Sequence, residues 1–259
     1  MLMAGMMVNG LFMFGRGEID LYGDSYTMGL TIMNGFTKGY AYEITQMIIY
    51  LGYLPIFGIW YELAFARKKR ATGKRGRTPD VGRLAALFLM GMALQLLISS
   101  MLEIFLPMFP TYEKKYTELI TTVNSGSIFT IIAVVILAPI GEELLFRGVT
   151  MGYLRKSCGK WTAALVQGIL FAMYHMNLVQ GIYAFLIGVF FGVIAWEYET
   201  FLPGVIIHFS LNSSSYILHA FATGIAGNTP VMIGILIGST IAVMILTTYI
   251  ITEPKTGTQ

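Results

Sequence analysis

The sequence contains few charged residues, one cysteine and three histidines. Asp, Glu, Lys and Arg make up 12% of its 259 residues, about half the share of an ordinary soluble domain, whereas 56% of the residues are hydrophobic. The apolar runs leave no stretch for a sizeable water-soluble domain, so a single integral membrane domain is expected. Because Cys158 is the only cysteine, an intramolecular disulfide is excluded.

Several motifs are also missing. Neither HExxH nor GxSxG occurs, so the two most familiar local signatures of zinc and serine hydrolases are absent. The apolar N-terminus has no basic region before it, which indicates a membrane segment or its end and not a cleaved signal. No nucleic-acid motif is visible, and the net charge of +3 comes from basic residues concentrated in loops. Nucleic acid is therefore not a predicted partner.

Long apolar segments predict an all-α, polytopic membrane bundle of about seven or eight transmembrane helices. A seventh segment is more polar than the rest, and an eighth is short and N-terminal. The alternating pattern of a membrane β-barrel is absent. The predicted spans are 42–66, 84–109, 127–154, 161–176, 181–196 and 231–252, with 203–222 as the seventh and 1–14 as the eighth.

Basic loops predict how the chain is oriented. Residues 67–77 hold seven Lys or Arg and no acid, and residues 155–160 hold three more. Short loops rich in Lys and Arg stay in the cytoplasm. The alternating spans then place both termini there as well, and they place the loops at residues 15–40 and 110–126 outside. The predicted location is the plasma membrane of a prokaryote. We divide the chain into N-terminal helices and loops (1–126), a core region (127–223) and a C-terminal helix with its tail (224–259).

Two adjacent acids, Glu142 and Glu143, stand in one of the apolar segments. A carboxylate at bilayer depth is costly unless it is paired, hydrated or neutralised, so it indicates a functional site. Glu143 and Arg147 are four residues apart and can pair on one helix face, whereas Glu142 is rotated by about 100° and is free to point into a cavity. A buried ion pair that only locks the bundle is the structural alternative for Glu143 and Arg147.

Two later segments repeat this spacing. Phe171 and His175 are four residues apart, as are His208 and Asn212. At 1.5 Å per residue, Glu142 and His175 lie about 20 and 22 Å from their cytoplasmic loops, and His208 lies about 13 Å from its own. A core histidine and a polar contact between helices are the structural alternatives for His175 and Asn212. Their occurrence together with Glu142 favours a functional site.

These groups suit hydrolysis of an amide bond. A carboxylate beside imidazoles can deprotonate water and return the proton to a leaving amine, while His208 and Asn212 can donate hydrogen bonds to an oxyanion. Glu142, His175 and His208 could instead hold a catalytic zinc ion. Spacing does not decide between the two mechanisms. We favour the mechanism without a cofactor, because the four side chains already fill the roles that hydrolysis needs.

Three ordered motifs carry a resemblance to a known family. Residues 142–147 fit EExxxR, residues 171–175 fit FxxxH and residues 208–212 fit HxxxN. Over about residues 128–222 the chain resembles the CPBP intramembrane proteases, also called the CAAX protease and bacteriocin-processing or Abi family. The resemblance implies an eight-helix membrane fold around a conical cavity and endopeptidase activity. It implies that Glu142 activates water, His175 assists, His208 and Asn212 stabilise the oxyanion, and Glu143, Arg147 and Phe171 fill the remaining motif positions.

The resemblance also implies a substrate class. Members of the family cleave membrane-associated proteins or peptides in the lipid bilayer, among them prenylated CAAX proteins and peptides linked to bacteriocin maturation, immunity or quorum sensing. They have been described both as metalloproteases and as glutamate proteases. Two other functions stay open for this chain: a proton-coupled transporter, since buried Glu and His also move protons, and a signalling scaffold without proteolysis.

Overall fold

The computed structural model describes residues 39–73, 76–123, 127–221 and 227–252. Within these ranges the chain forms eight helices and no strand, which confirms the predicted all-α bundle. The predicted span at residues 1–14 lies outside the described residues. Helix α1 starts as Gly39–Tyr61 and continues through Glu62–Ala66 to Arg67–Ala71, and it is followed by α2 (Val81–Phe105), α3 (Pro110–Val123), α4 (Ile128–Leu154), α5 (Lys160–Tyr174), α6 (Leu178–Tyr198), α7 (Leu202–Phe221) and α8 (Thr229–Ile251).

Five of these helices, α1, α2, α4, α6 and α8, are long and apolar enough to cross a membrane. Helices α5 and α7 occupy two further predicted spans, but α5 has only 15 residues and α7 carries polar side chains. Helix α3 is a difference from the sequence-based expectation, which assigned residues 110–126 to an outer loop. Its 14 residues mix apolar and charged side chains, so a search for long apolar runs passes over it.

Helix α2 is central to the packing, since it makes extensive contacts with both α7 and α8, while α5 packs along α6. The largest buried cluster joins α2, α6, α7 and α8 through side chains such as Leu87, Phe191 and Ile207. The Tyr198 hydroxyl donates a 2.9 Å hydrogen bond to the Ile250 carbonyl and so ties the C-terminal ends of α6 and α8 together. Large apolar side chains on the outside of the bundle suit contact with lipid.

Polar residues at helix starts explain where several helices begin. Asp80 caps α2 by accepting a 2.9 Å hydrogen bond from the Arg83 N–H, and Asn177 caps α6 in the same way through the Gln180 N–H. The backbone N–H of Arg83 and its guanidinium hold the pKa of Asp80 below its ordinary value. Arg83 also donates to the Thr252 carbonyl at the end of α8. The N-terminal end of α2 is therefore fixed to the C-terminal end of α8.

Candidate active site

A cavity of about 1060 Å³ lies inside the bundle and receives side chains from all eight helices. The candidate residues divide into two groups at its wall. Glu143 and Arg147 are absent from the lining and lie behind it. The other five predicted site residues line the cavity: Glu142, Phe171, His175, His208 and Asn212.

Glu143 and Arg147 form the predicted ion pair. Arg147 Nη1 donates to Glu143 Oε1 at 2.8 Å, and both side chains have zero solvent exposure. Arg147 Nη2 makes a second, 3.3 Å hydrogen bond to the Gly188 carbonyl of α6. The pair therefore joins α4 to α6 in the dry interior, where removing either charge leaves the other uncompensated.

Aromatic rings enclose the guanidinium of Arg147. Its Cζ lies 4.3 Å from the ring centroid of Phe171 and 5.2 Å from that of Phe191, which are cation–π distances. Phe171 also contacts His175, whose ring centroid lies 4.8 Å away in an edge-to-face arrangement. Phe171 thus packs Arg147 on one side and orients the His175 ring on the other.

His208 bridges the two adjacent glutamates. Its Nδ1 lies 3.1 Å from Glu143 Oε1, and its Nε2 lies 3.9 Å from Glu142 Oε2. Because the Glu143 carboxylate can only accept, Nδ1 carries a proton and donates it to this contact. The carboxylate fixes the ring orientation and leaves Nε2 directed towards Glu142 and the cavity.

His175 comes directly after α5. The predicted span ran to Met176, but the helix ends at Tyr174, and Met176 has the left-handed backbone angle φ 54°. His175 Nδ1 donates to the Phe171 carbonyl at 2.9 Å, one turn earlier. Since a carbonyl oxygen only accepts, Nδ1 is the protonated nitrogen of a neutral His175 ring, and Nε2 of that ring has a free lone pair. His175 therefore presents a basic nitrogen at the end of a helix.

Asn212 donates a hydrogen bond to a backbone carbonyl of α4, at a turn where the hydrogen bonding of that helix is irregular. The π-helical turn Ile132–Leu137 directs the Ala138 N–H to the carbonyl of Ala133, five residues back. The next residue, Pro139, has no N–H to donate. The carbonyl of Val134 accepts instead from Asn212 Nδ2 at 2.8 Å. Irregular turns of this kind are frequent at functional sites, and this one positions an amide from α7.

The tyrosines of α1 are site residues that the sequence did not identify. Tyr50 and Tyr53 line the cavity together with Tyr174 of α5. Tyr53 is 9% exposed, and a side chain on Gly141, next to Glu142, would overlap its ring. With 15 tyrosines in the chain, no sequence signal distinguishes these two. Their position depends on how α1 packs against α4.

Gly204 of α7 provides room for the buried Glu143 carboxylate. A Cβ at this position would overlap Glu143 Oε2. We expect Gly204→Ala to lower the free energy of unfolding by about 1–3 kcal/mol, since the ion pair must shift in a packed interior. Thermal unfolding in detergent measures the effect. Gly234→Ala on α8, where a Cβ meets no atom within 4 Å, is the matched control. Equal losses in the two variants would contradict a close approach at Gly204.

The candidate zinc ligands are not arranged around a common point in the described structure. Among the described residues, no group of three His, Cys, Asp or Glu side chains has the arrangement of a metal site. His208 Nε2 and Glu142 Oε2 are 3.9 Å apart, and Nδ1 of His208 is already engaged by Glu143. The candidate zinc ligands Glu142, His175 and His208 would have to rearrange to hold an ion.

One comparison with known proteins gives a match. A family model described as type II CAAX prenyl endopeptidase Rce1-like matches residues 124–214, the region that carries α4 to most of α7 and all three motifs. No curated protein and no solved structure matches the chain significantly. The family match confirms the resemblance to the CAAX proteases that the motifs predicted.

Proposed function

Since residues 124–214 are similar to the Rce1-like CAAX prenyl endopeptidases, and since this family acts within membranes, we propose that the protein is an intramembrane endopeptidase whose water-activating residue is Glu142. The observation that supports this assignment most directly is the division of the acidic pair. Glu143 is engaged by Arg147 and His208, whereas Glu142 lines the cavity beside His175 and His208. Glu142 is the carboxylate that a water molecule and a peptide can reach.

In the proposed reaction, the Glu142 carboxylate removes a proton from water as the water oxygen attacks the scissile carbonyl carbon. The free Nε2 of His175 accepts a hydrogen bond from the same water and orients it. The tetrahedral intermediate then collapses, the carbon–nitrogen bond breaks, and the protonated Glu142 returns its proton to the leaving amine. The products are a new carboxyl terminus and a new amino terminus, with the enzyme unchanged.

The negatively charged oxygen of the intermediate needs hydrogen-bond donors next to it. His208 has its Nδ1 on Glu143, so its Nε2 faces the cavity and can donate to the oxyanion once that nitrogen carries a proton. Asn212 uses one amide N–H for the Val134 carbonyl and keeps the second for the oxyanion. In this scheme Arg147 does not touch substrate, and it acts by holding Glu143 in place.

The position of the cavity suggests which side the substrate comes from. Its lining extends from Glu142 to the ends of α2, α5 and α6 at Leu106, Met176 and Gln180, and it includes no described residue of the basic loops 67–77 and 155–160. If those loops are cytoplasmic, as their charge predicts, the cavity reaches towards the opposite face of the membrane. We therefore propose that the enzyme receives a membrane-tethered peptide from the non-cytoplasmic side.

The test is cleavage of membrane-tethered peptides by the purified protein in sealed vesicles. Prenylated and unprenylated peptides with a fluorophore and a quencher would be added outside, in right-side-out and in inverted vesicles, and products identified by mass spectrometry. We expect cleavage in right-side-out vesicles, and we expect it to persist after a chelator has removed bound metals.

Each part of the proposal can fail separately. Absence of any cleavage product, together with proton-driven uptake that requires Glu142, would replace the protease with a transporter. Cleavage in inverted vesicles only would overturn the assigned orientation. Loss of activity on chelation, restored by zinc, would replace the glutamate mechanism with a metal-dependent one.

A further inference from the structure

We propose that the part of the cavity beyond Glu142 is a subsite for a positively charged side chain, Lys or Arg, of the peptide substrate. This inference rests on the proposed function, because it names the class of peptide that the same cavity accepts. It goes beyond that function, since a CAAX-type reaction by itself requires no charge near the scissile bond. The acids that carry it, Glu43, Glu103 and Glu113, lie outside all three motifs.

Acidic side chains outnumber basic ones in the described lining of the cavity. It includes the carboxylates of Glu43, Glu103, Glu113 and Glu142 and no Lys or Arg, and its only basic side chains are the imidazoles of His175 and His208. Lys114 and Lys115 follow Glu113 on α3 but do not line the cavity, and Arg147 lies behind the wall in its pair with Glu143. A concave surface with carboxylates and low-dielectric walls concentrates cations and repels acidic peptides.

Glu43 is the strongest single indication of a cationic ligand. Its side chain lines the cavity, the residue is 5% exposed, and its Oε2 is buried with no hydrogen-bond partner among the described residues. Burying a carboxylate without a partner is costly, so a cation that enters the cavity gains more here than at an exposed acid.

The arrangement suits a long side chain better than a metal ion. The acids come from three different helices, α1, α2 and α3, and the described residues contain no set of three acids or histidines close enough to enclose an ion. An ammonium or guanidinium on a flexible stem can reach separate carboxylates in turn. A cavity of about 1060 Å³ is large enough for a peptide segment around that side chain.

Binding to catalytically inactive protein tests the inference without depending on turnover. Glu142→Gln protein in nanodiscs would be titrated with two pairs of tethered fluorescent peptides, Lys against norleucine and Arg against citrulline at one position. We expect the charged member of each pair to bind about tenfold more tightly at low salt, with the ratio falling as sodium chloride is added. Adding Glu43→Gln or Glu113→Gln should reduce the ratio to about threefold or less.

Glu118→Gln is the matched control, since Glu118 also lies on α3 but does not line the cavity, and it should leave the ratio unchanged. Equal binding of charged and neutral peptides, or a ratio unaffected by Glu43→Gln and Glu113→Gln, overturns the cationic subsite. A third outcome is that calcium binds stoichiometrically and millimolar calcium abolishes the preference for the charged peptides. This result would overturn the cationic subsite in favour of a metal site. Charge preference in binding without any cleavage would support the subsite while contradicting the proposed protease.

Discussion

Glu142→Gln is expected to reduce kcat for peptide cleavage by about 10³- to 10⁴-fold while leaving the protein folded. Glutamine has the shape of glutamate but cannot take a proton from water, so the step that generates the nucleophile is lost. The proposed hydrogen-bond donors for the oxyanion, His208 and Asn212, are untouched, so the rate should not fall to that of the uncatalysed reaction. Cleavage of a tethered quenched peptide, followed with purified protein, gives the rate.

The comparison with two further variants makes this result specific. Glu197→Gln removes an acid that pairs with Lys160 near the basic loop, far from the cavity lining, and should leave kcat unchanged. His175→Gln should lower kcat with a smaller effect than Glu142→Gln, because it orients the water without accepting its proton in the proposed scheme. Undiminished cleavage by Glu142→Gln protein would exclude Glu142 as the general base.

Arg147→Met is expected to lower the free energy of unfolding by about 3–5 kcal/mol. The substitution leaves the Glu143 carboxylate at zero solvent exposure without its cation, and it removes the hydrogen bond to the Gly188 carbonyl. The flanking rings of Phe171 and Phe191 also lose a cation–π contact. Chemical or thermal unfolding in detergent, followed by tryptophan fluorescence, measures the loss.

A double variant separates the charge effect from the packing effect. Glu143→Gln together with Arg147→Met removes both charges, so it should recover part of the stability that Arg147→Met alone loses. Arg70→Met, which breaks the exposed pair with Glu62, should leave the unfolding midpoint unchanged. If Arg147→Met unfolds at the same midpoint as the parent protein, the buried pair does not support the bundle.

The region predicted most closely from the sequence is α4. The apolar run predicted a helix, and the spacing of Glu143 and Arg147 predicted their contact, because residues four apart on a helix are neighbours whatever surrounds them. The same argument holds for Phe171 and His175, which touch across one turn even though α5 ends between them. His208 and Asn212 are also four residues apart, and both line the cavity. Asn212 donates to the Val134 carbonyl of α4, a contact that spacing along α7 does not predict.

Features that depend on amphipathic or irregular backbone were harder to predict. Helix α3 has no long apolar run, so hydropathy assigned it to a loop, although it contributes Glu113 and Tyr116 to the cavity. The π-helical turn before Pro139 likewise gives no sequence pattern that differs from an ordinary helix. The division into domains at residues 126 and 223 stays a prediction, and helices from both sides of the first boundary line the cavity.

The sequence by itself determined the class of the protein: an all-α membrane bundle with three polar motifs and a local Glu143–Arg147 pair. It could do so because hydropathy depends on composition and because helical geometry fixes distances within one turn. The tertiary structure decided which glutamate faces the cavity, how His208 bridges Glu143 and Glu142, and that α1 adds tyrosines and Glu43 to the wall. Contacts between helices follow from how their surfaces pack, and residue spacing along one chain does not encode that packing directly.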